Sequence, residues 1–64
     1  MEKRVNGFTY SEWVDIRVLL KLKQNEFSEC AESETRESAK QAYKALVSRY
    51  AALCDKVSAL IAEF

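Results

Sequence analysis

The sequence contains no histidine and no proline, and it has one glycine and two cysteines. Without histidine, the usual general base near neutral pH is absent, and so are the histidine-containing zinc and diiron sites. We therefore expect no enzymatic activity, no catalytic residues, no metal site and no cofactor. The missing prolines and the single glycine leave few signals that would interrupt a helix.

Neither sign of charge is in excess, because ten Lys and Arg residues balance ten Asp and Glu residues. No overall field therefore attracts the chain to nucleic acid or to an anionic membrane. No apolar run approaches the roughly 18 residues of a membrane span, and no apolar segment follows the basic pair Lys3 and Arg4 as it would in a signal peptide. These absences predict a cytoplasmic protein with Cys30 and Cys54 as free thiols.

The clearest pattern in the sequence is an apolar stripe in its C-terminal half. Its members follow one another at alternating gaps of three and four residues, the spacing of one side of a long helix. We expect this second helix to cover about residues 33–63, with Ser33 as its N-cap and with Glu34 and Glu37 in its first turn. The stripe comprises Tyr43, Leu46, Tyr50, Leu53, Val57, Leu60 and Phe64.

A second set of signals marks the start of a first helix at Tyr10. Thr9 and Glu12 have the spacing of a capping box, and Phe8 is placed to pack against Trp13 as a hydrophobic staple. We expect this helix to cover about residues 10–31. A strand is the alternative, because apolar and charged residues alternate over much of 14–23, but the capping box and the absence of a second convincing strand favour a helix.

Residues 1–9 form a short N-terminal segment whose only turn signal is Asn6-Gly7. This pair can close a two-residue hairpin between Val5 and Phe8. The flanking segments are very short, so we favour a plain turn over a hairpin.

Together these elements predict an all-α fold in which residues 1–64 form one domain, an antiparallel two-helix hairpin with a short N-terminal turn. A chain that folds back near residues 32–34 places Leu20 against Leu46 and Val47, and places Trp13 against Leu53 and Cys54. The expected central core is Leu20, Leu46, Tyr50 and Leu53.

Such a hairpin can cover only one stripe of each helix. In the first helix Val14, Val18 and Leu22 lie almost opposite the expected core stripe, and in the second helix Ala45, Ala52 and Ala59 form a row of small side chains. Scattered surface aliphatics and high helix propensity of alanine are the simpler interpretations. Because a chain this short buries only about 60% of its surface, we nevertheless predict a homodimer with a four-helix arrangement. We expect it to form through Val14, Val18 and Leu22 of the first helix, with Ala45, Ala52 and Ala59 as further partner-binding residues.

The function that fits best is that of a small, non-enzymatic interaction protein, an adaptor, chaperone or inhibitor that binds another protein through apolar helix faces. The alternative is a small dimeric nucleic-acid-binding regulator that uses basic residues spaced along the helices. Their long side chains can instead shield a helix interface. The basic residues are Arg17, Lys21, Arg36, Lys40 and Lys44.

Overall fold

A computed structural model describes residues 2–64 of the protein, which form two long helices. Helix α1 covers Tyr10–Ser33 and helix α2 covers Glu37–Ile61. The helices pack against each other along their length, and the described residues contain no strand beyond one isolated bridge. The predicted all-helical hairpin is therefore confirmed, and the strand alternative for the first helix is wrong.

The start of α1 is the predicted capping box. The backbone N–H of Glu12 donates to the Thr9 hydroxyl at 3.2 Å, and the backbone N–H of Thr9 donates to the Glu12 carboxylate at 2.9 Å. The Phe8 and Trp13 rings lie 4.8 Å apart, which completes the hydrophobic staple. Local side-chain chemistry thus sets both the first residue of α1 and the direction from which the chain enters it.

The N-terminal segment closes as a minimal hairpin around Asn6-Gly7, so the preference for a plain turn is wrong. Val5 and Phe8 exchange two backbone hydrogen bonds, at 2.9 Å and 3.1 Å. Asn6 and Gly7 both have positive φ, 51° and 84°, the pattern that two-residue hairpin turns require. The turn is attached to α1 because the Trp13 indole N–H donates to the Val5 carbonyl at 2.9 Å.

The connection between the helices differs from the prediction. Ser33 is the last residue of α1 and not the N-cap of α2, because its hydroxyl donates back to the Glu29 carbonyl at 3.0 Å. Arg36 is the N-cap of α2 and makes no capping hydrogen bond through its side chain. Glu34 organises the turn instead, since its carboxylate accepts the backbone N–H groups of Thr35 and Arg36, each at 3.0 Å.

The register of the two helices also differs from the prediction. Phe27 stacks on both Tyr43 and Tyr50, and Tyr10 contacts Phe64 with ring centroids 5.7 Å apart. Facing residues therefore have numbers that sum to about 74. The predicted pairing of Leu20 with Leu46, and of Trp13 with Leu53, is wrong by about two helical turns. As a result α1 extends to the C-terminal end of α2.

The core is thin and lies along the contact between α1 and α2. Its buried apolar residues are Trp13, Ala31, Cys54 and Val57. No large side chain among residues 2–64 is fully buried. Of the predicted core residues, Leu20, Leu46 and Tyr50 are half-buried, and Leu53 is 42% exposed, so the prediction for Leu53 is wrong.

The hairpin is a rod of 52 × 15 × 14 Å with a radius of gyration of 14.7 Å. A compact domain of this length has a radius of gyration of about 11 Å. The accessible surface is 4790 Å², against about 4,200 Å² for a monomeric protein of this mass. The elongated shape thus leaves roughly 600 Å² more surface in water than a compact monomer does.

Candidate functional site

The most exposed aliphatic side chains of α1 lie together near its middle. Val18 is 49% exposed, Leu19 62% and Leu22 53%. Val18 and Leu22 belong to the predicted partner-binding face, whereas Val14 is half-buried. Leu19 was not predicted, although it is the most exposed large apolar residue among the described residues.

The hairpin has two long sides of different chemistry. One side carries an open groove of about 610 Å³ that runs between the helices near the connection. We call it the groove side. Its lining mixes apolar, hydroxyl and charged side chains, with Glu32 close to two lysines. The lining residues are Ser28, Ala31, Glu32, Lys40, Lys44, Val47 and Ser48.

The opposite side of the hairpin carries a row of leucines together with charged side chains, among them the exposed Lys23–Glu26 ion pair. Successive residues of a helix are rotated by about 100° about its axis. Residues on the far side of α1 from Ser28, and on the far side of α2 from Lys44, therefore face away from the groove. These residues include Leu19 in α1 and three leucines spaced by seven residues in α2. Leu46 and Leu60 are half-buried and Leu53 is exposed. We call Leu19, Leu46, Leu53 and Leu60 the leucine face.

The predicted partner-binding residues do not form one surface. Ala45, Ala52 and Ala59 are all exposed on α2. By helix periodicity they point away from α1, while Val18 and Leu22 point away from α2. One partner surface therefore cannot contact the alanine row of α2 and Val18 and Leu22 of α1 in the same hairpin.

Four of the five predicted basic residues lie on the groove side. Lys21 and Lys44 are exposed, whereas Arg17 and Lys40 are half-buried. In the observed register Lys21 is level with residue 53 of α2. It is therefore displaced from Lys44 by about nine residues, or about 13 Å, along the helix axis. The fifth residue, Arg36, lies in the connection with its Nε 3.3 Å from the Glu34 carboxylate.

Acidic side chains interrupt this basic row. Glu32 lines the groove beside Lys40 and Lys44, and helix periodicity places Asp55 on the same side, level with residue 19 and thus between Arg17 and Lys21. The groove side therefore has mixed charge, unlike the continuous basic stripe typical of nucleic-acid-binding proteins.

Two carboxylates at the ends of α1 have a perturbed pKa, that of the exposed Glu12 and that of the half-buried Glu34. The backbone N–H of Thr9, helped by the Thr9 side chain, holds the pKa of Glu12 below its ordinary value. The backbone N–H of Arg36, together with its guanidinium group, lowers the pKa of Glu34, and the same contact raises the pKa of Arg36. These shifts stabilise the two ends of α1 and belong to no cluster of reactive groups.

The remaining reactive side chains are dispersed. Cys30 is half-buried, Cys54 is buried, and both are free thiols. Across residues 2–64, no group of three His, Cys, Asp or Glu residues is arranged to hold a metal ion. Neither described helix is long and apolar enough to cross a membrane.

No family model matches the sequence, and neither a curated protein nor a solved structure is significantly similar to it.

Proposed function

We propose that this protein is a small, non-enzymatic helical interaction protein that forms a homodimer of hairpins in a four-helix arrangement and binds another protein through apolar helix surface. The proposal rests mainly on the exposed aliphatic side chains of α1 and α2. Val18, Leu19, Leu22 and Leu53 are each more than 40% exposed. Burying one such side chain fully is worth about 1.5 to 3 kcal/mol.

The thin core supports self-association. Only four apolar side chains of residues 2–64 are buried, and a chain this short gains disproportionately from a second copy. The excess of roughly 600 Å² of surface is close to the roughly 800 Å² that each partner buries in a standard interface. A near-zero net charge does not oppose association.

A different protein can use the aliphatic residues that a second copy leaves free. Val18 and Leu22 point away from α2, so they remain available when two hairpins pack through their long sides. The dimer then presents two such patches, one for each chain. Binding through both patches increases the apparent affinity for a partner with two matching sites.

The proposed dimer is tested by sedimentation equilibrium over low to high micromolar concentration. We expect a concentration-dependent mass that approaches twice 7.4 kDa. A melting temperature that rises with protein concentration is the second expected signature, because association stabilises only the folded chain. A single 7.4 kDa species throughout the range contradicts the homodimer.

The heterologous partner is tested by affinity capture from native extract, with a Val18→Asp, Leu22→Asp double variant as control. We expect a stoichiometric protein that the wild type retains and the variant loses. Nucleic acid recovered instead supports the regulator alternative, whose binding should fall steeply with salt. Lys21→Glu and Lys44→Glu variants should then lose binding, because both lysines are exposed on the groove side.

A further inference from the structure

At Leu53 the leucine face borders a depression of about 250 Å³ on α2, lined by Arg49, Ala52, Leu53 and Lys56. These positions are i, i+3, i+4 and i+7 along the helix. Four residues at this spacing form the hole that receives one side chain from a facing helix in knobs-into-holes packing. Leu53 and the small Ala52 lie at the centre, and the two basic residues lie at the ends.

Leu19 of α1 is the matching knob. It lies on the same side of the hairpin as the hole, and in the observed register it faces the level of residue 55, close to the centre of the hole. Leu19 is 62% exposed, so most of its surface is not covered by its own hairpin. Each hairpin thus has one unfilled hole and one free knob on the same side.

The charges at the edge of this side are complementary between the two helices. Asp15 and Glu26 lie beside Leu19 on the outer edge of α1, and Arg49 and Lys56 lie on the outer edge of α2. Glu26 also pairs with Lys23 of its own helix at 3.0 Å. In the observed register, Lys56 is level with residue 18 and Arg49 with residue 25. Neither Asp15 nor Lys56 has a side-chain hydrogen bond or an ion pair within residues 2–64.

We propose that two copies of the chain dock through their leucine faces, with Leu19 of each copy inserted into the hole between Arg49 and Lys56 of the other. This inference deepens the proposed homodimer and depends on it. The two-fold axis lies parallel to the helices, so that α1 of one chain packs on α2 of its partner and both connections lie at the same end. The contact is isologous, and each knob and hole is used twice.

The alternative two-fold axis, perpendicular to the helices, is less favourable. It packs α2 on the partner's α2 in antiparallel orientation, with Leu53 over the partner's Leu53. That arrangement brings Arg49 close to the partner's Lys56, and like charges at that distance repel. The parallel axis instead places Asp15 near the partner's Lys56 and Glu26 near the partner's Arg49.

The first test compares Leu19→Asp with Val18→Asp by sedimentation equilibrium, with circular dichroism to confirm that both variants remain helical. The two residues are neighbours and are similarly exposed, but only Leu19 lies on the leucine face. We expect Leu19→Asp to raise the dimer Kd by roughly tenfold or more, because each of two holes loses its buried leucine side chain, and pairing of the carboxylate with Arg49 or Lys56 offsets only part of that loss. Val18→Asp should change the Kd by less than about threefold, as a surface substitution does.

The second test is a charge exchange between α1 and α2. Asp15→Lys or Lys56→Asp alone should raise the dimer Kd about tenfold, because each places like charges together twice in the dimer. The double variant restores opposite charges and should return the Kd to within about threefold of wild type. High salt should reduce the differences among the four proteins.

These outcomes separate the docking mode from the dimer itself. A wild type that is monomeric at every concentration overturns the homodimer and, with it, this inference. A stable dimer that survives Leu19→Asp but dissociates with Val18→Asp overturns the leucine-face mode alone. A double charge variant as weak as the two single variants overturns the parallel orientation.

Discussion

The two ends of the hairpin are stabilised in different ways. At the end where the N-terminal turn meets the C-terminus of α2, Thr9 and Trp13 are buried, and Lys3 donates to the Glu63 carbonyl at 2.8 Å. At the connection, Ala31 is the only buried apolar residue nearby, and the hydrogen bonds of Glu34 are exposed to solvent. We call these the closed end and the connection end. The closed end thus has the larger buried side chain, that of Trp13.

This difference explains how so short a chain keeps its long helices in register. The connection reverses the chain but contributes little burial, so it does not fix which turn of α1 faces which turn of α2. The closed end does so, because Tyr10 contacts Phe64 and Trp13 anchors the N-terminal turn. We therefore expect substitutions at the closed end to have the larger effects on stability.

The largest loss of stability is expected from Trp13→Ala at the closed end. It removes a buried indole, its contact with Phe8 and its hydrogen bond to Val5. Truncation of a buried aromatic costs about 3 to 5 kcal/mol, comparable with the whole stability of a small domain. Circular dichroism should show substantial loss of helix at room temperature. Phe27→Ala should be less destabilising, because Phe27 is only half-buried, and equal losses would mean that the closed end has no special role.

The next largest loss of stability is expected from Thr9→Ala, which removes the N-cap of α1. Loss of such a cap costs about 1 kcal/mol, and Thr9 is buried beneath the N-terminal turn. Chemical denaturation should report a lower midpoint with an unchanged slope. Thr35→Ala is the matched control, since Thr35 is exposed in the connection and should stay within about 0.5 kcal/mol of wild type. A Thr35 variant as unstable as the Thr9 variant would remove the distinction between the ends.

A smaller effect is expected from acidification, acting through Glu12. Its folded pKa lies below the ordinary value of 4.5 because the Thr9 backbone N–H donates to its carboxylate. The contribution of ionised Glu12 to the stability of the folded chain is therefore complete when the pH is above that ordinary value. It is lost as the pH falls through the folded pKa. Melting temperatures of wild type and Glu12→Gln should differ at neutral pH and converge in acid. A difference that is constant with pH would show that the charge of Glu12 has no part in the cap.

The smallest effect is expected from Glu34→Gln at the connection end. The amide oxygen can still accept from the backbone N–H groups of Thr35 and Arg36, and the exposed ion pair with Arg36 contributes little. The melting temperature should fall slightly at low salt and not at all at high salt. A large loss at high salt would show that the connection is a principal source of stability.

The start of α1 could be predicted from sequence because its signals are local. Thr9, Glu12, Phe8 and Trp13 interact within one turn, so their spacing alone defines the cap and the staple. The end of α1 could not be predicted in the same way. Ser33 resembles an N-cap, but its hydroxyl can also bond back to a carbonyl of its own helix, and only the folded chain shows which bond forms.

The register and the candidate site depend on distant contacts, which explains the remaining errors. The sequence pattern predicts that the chain folds back at residues 32–34, whereas α2 begins only at Glu37. Every predicted pair of facing residues is therefore displaced along the helices. The prediction of Leu53 as a core residue follows from that displacement. The exposed Val18 and Leu22 were identified from helix periodicity, but Leu19 was not. It lies between the core stripe and the opposite face, so its exposure depends on which side of α1 is covered by α2.

The position of Trp13 makes the closed end observable by itself. It is the single tryptophan of the chain, 9% exposed and in contact with Phe8 at the point where the N-terminal turn covers the helices. Its emission therefore reports solvent entry at this end, whereas far-ultraviolet dichroism reports the helices as a whole. If the two signals separate along a melting curve, the closed end opens as an independent unit before the rest of the hairpin unfolds.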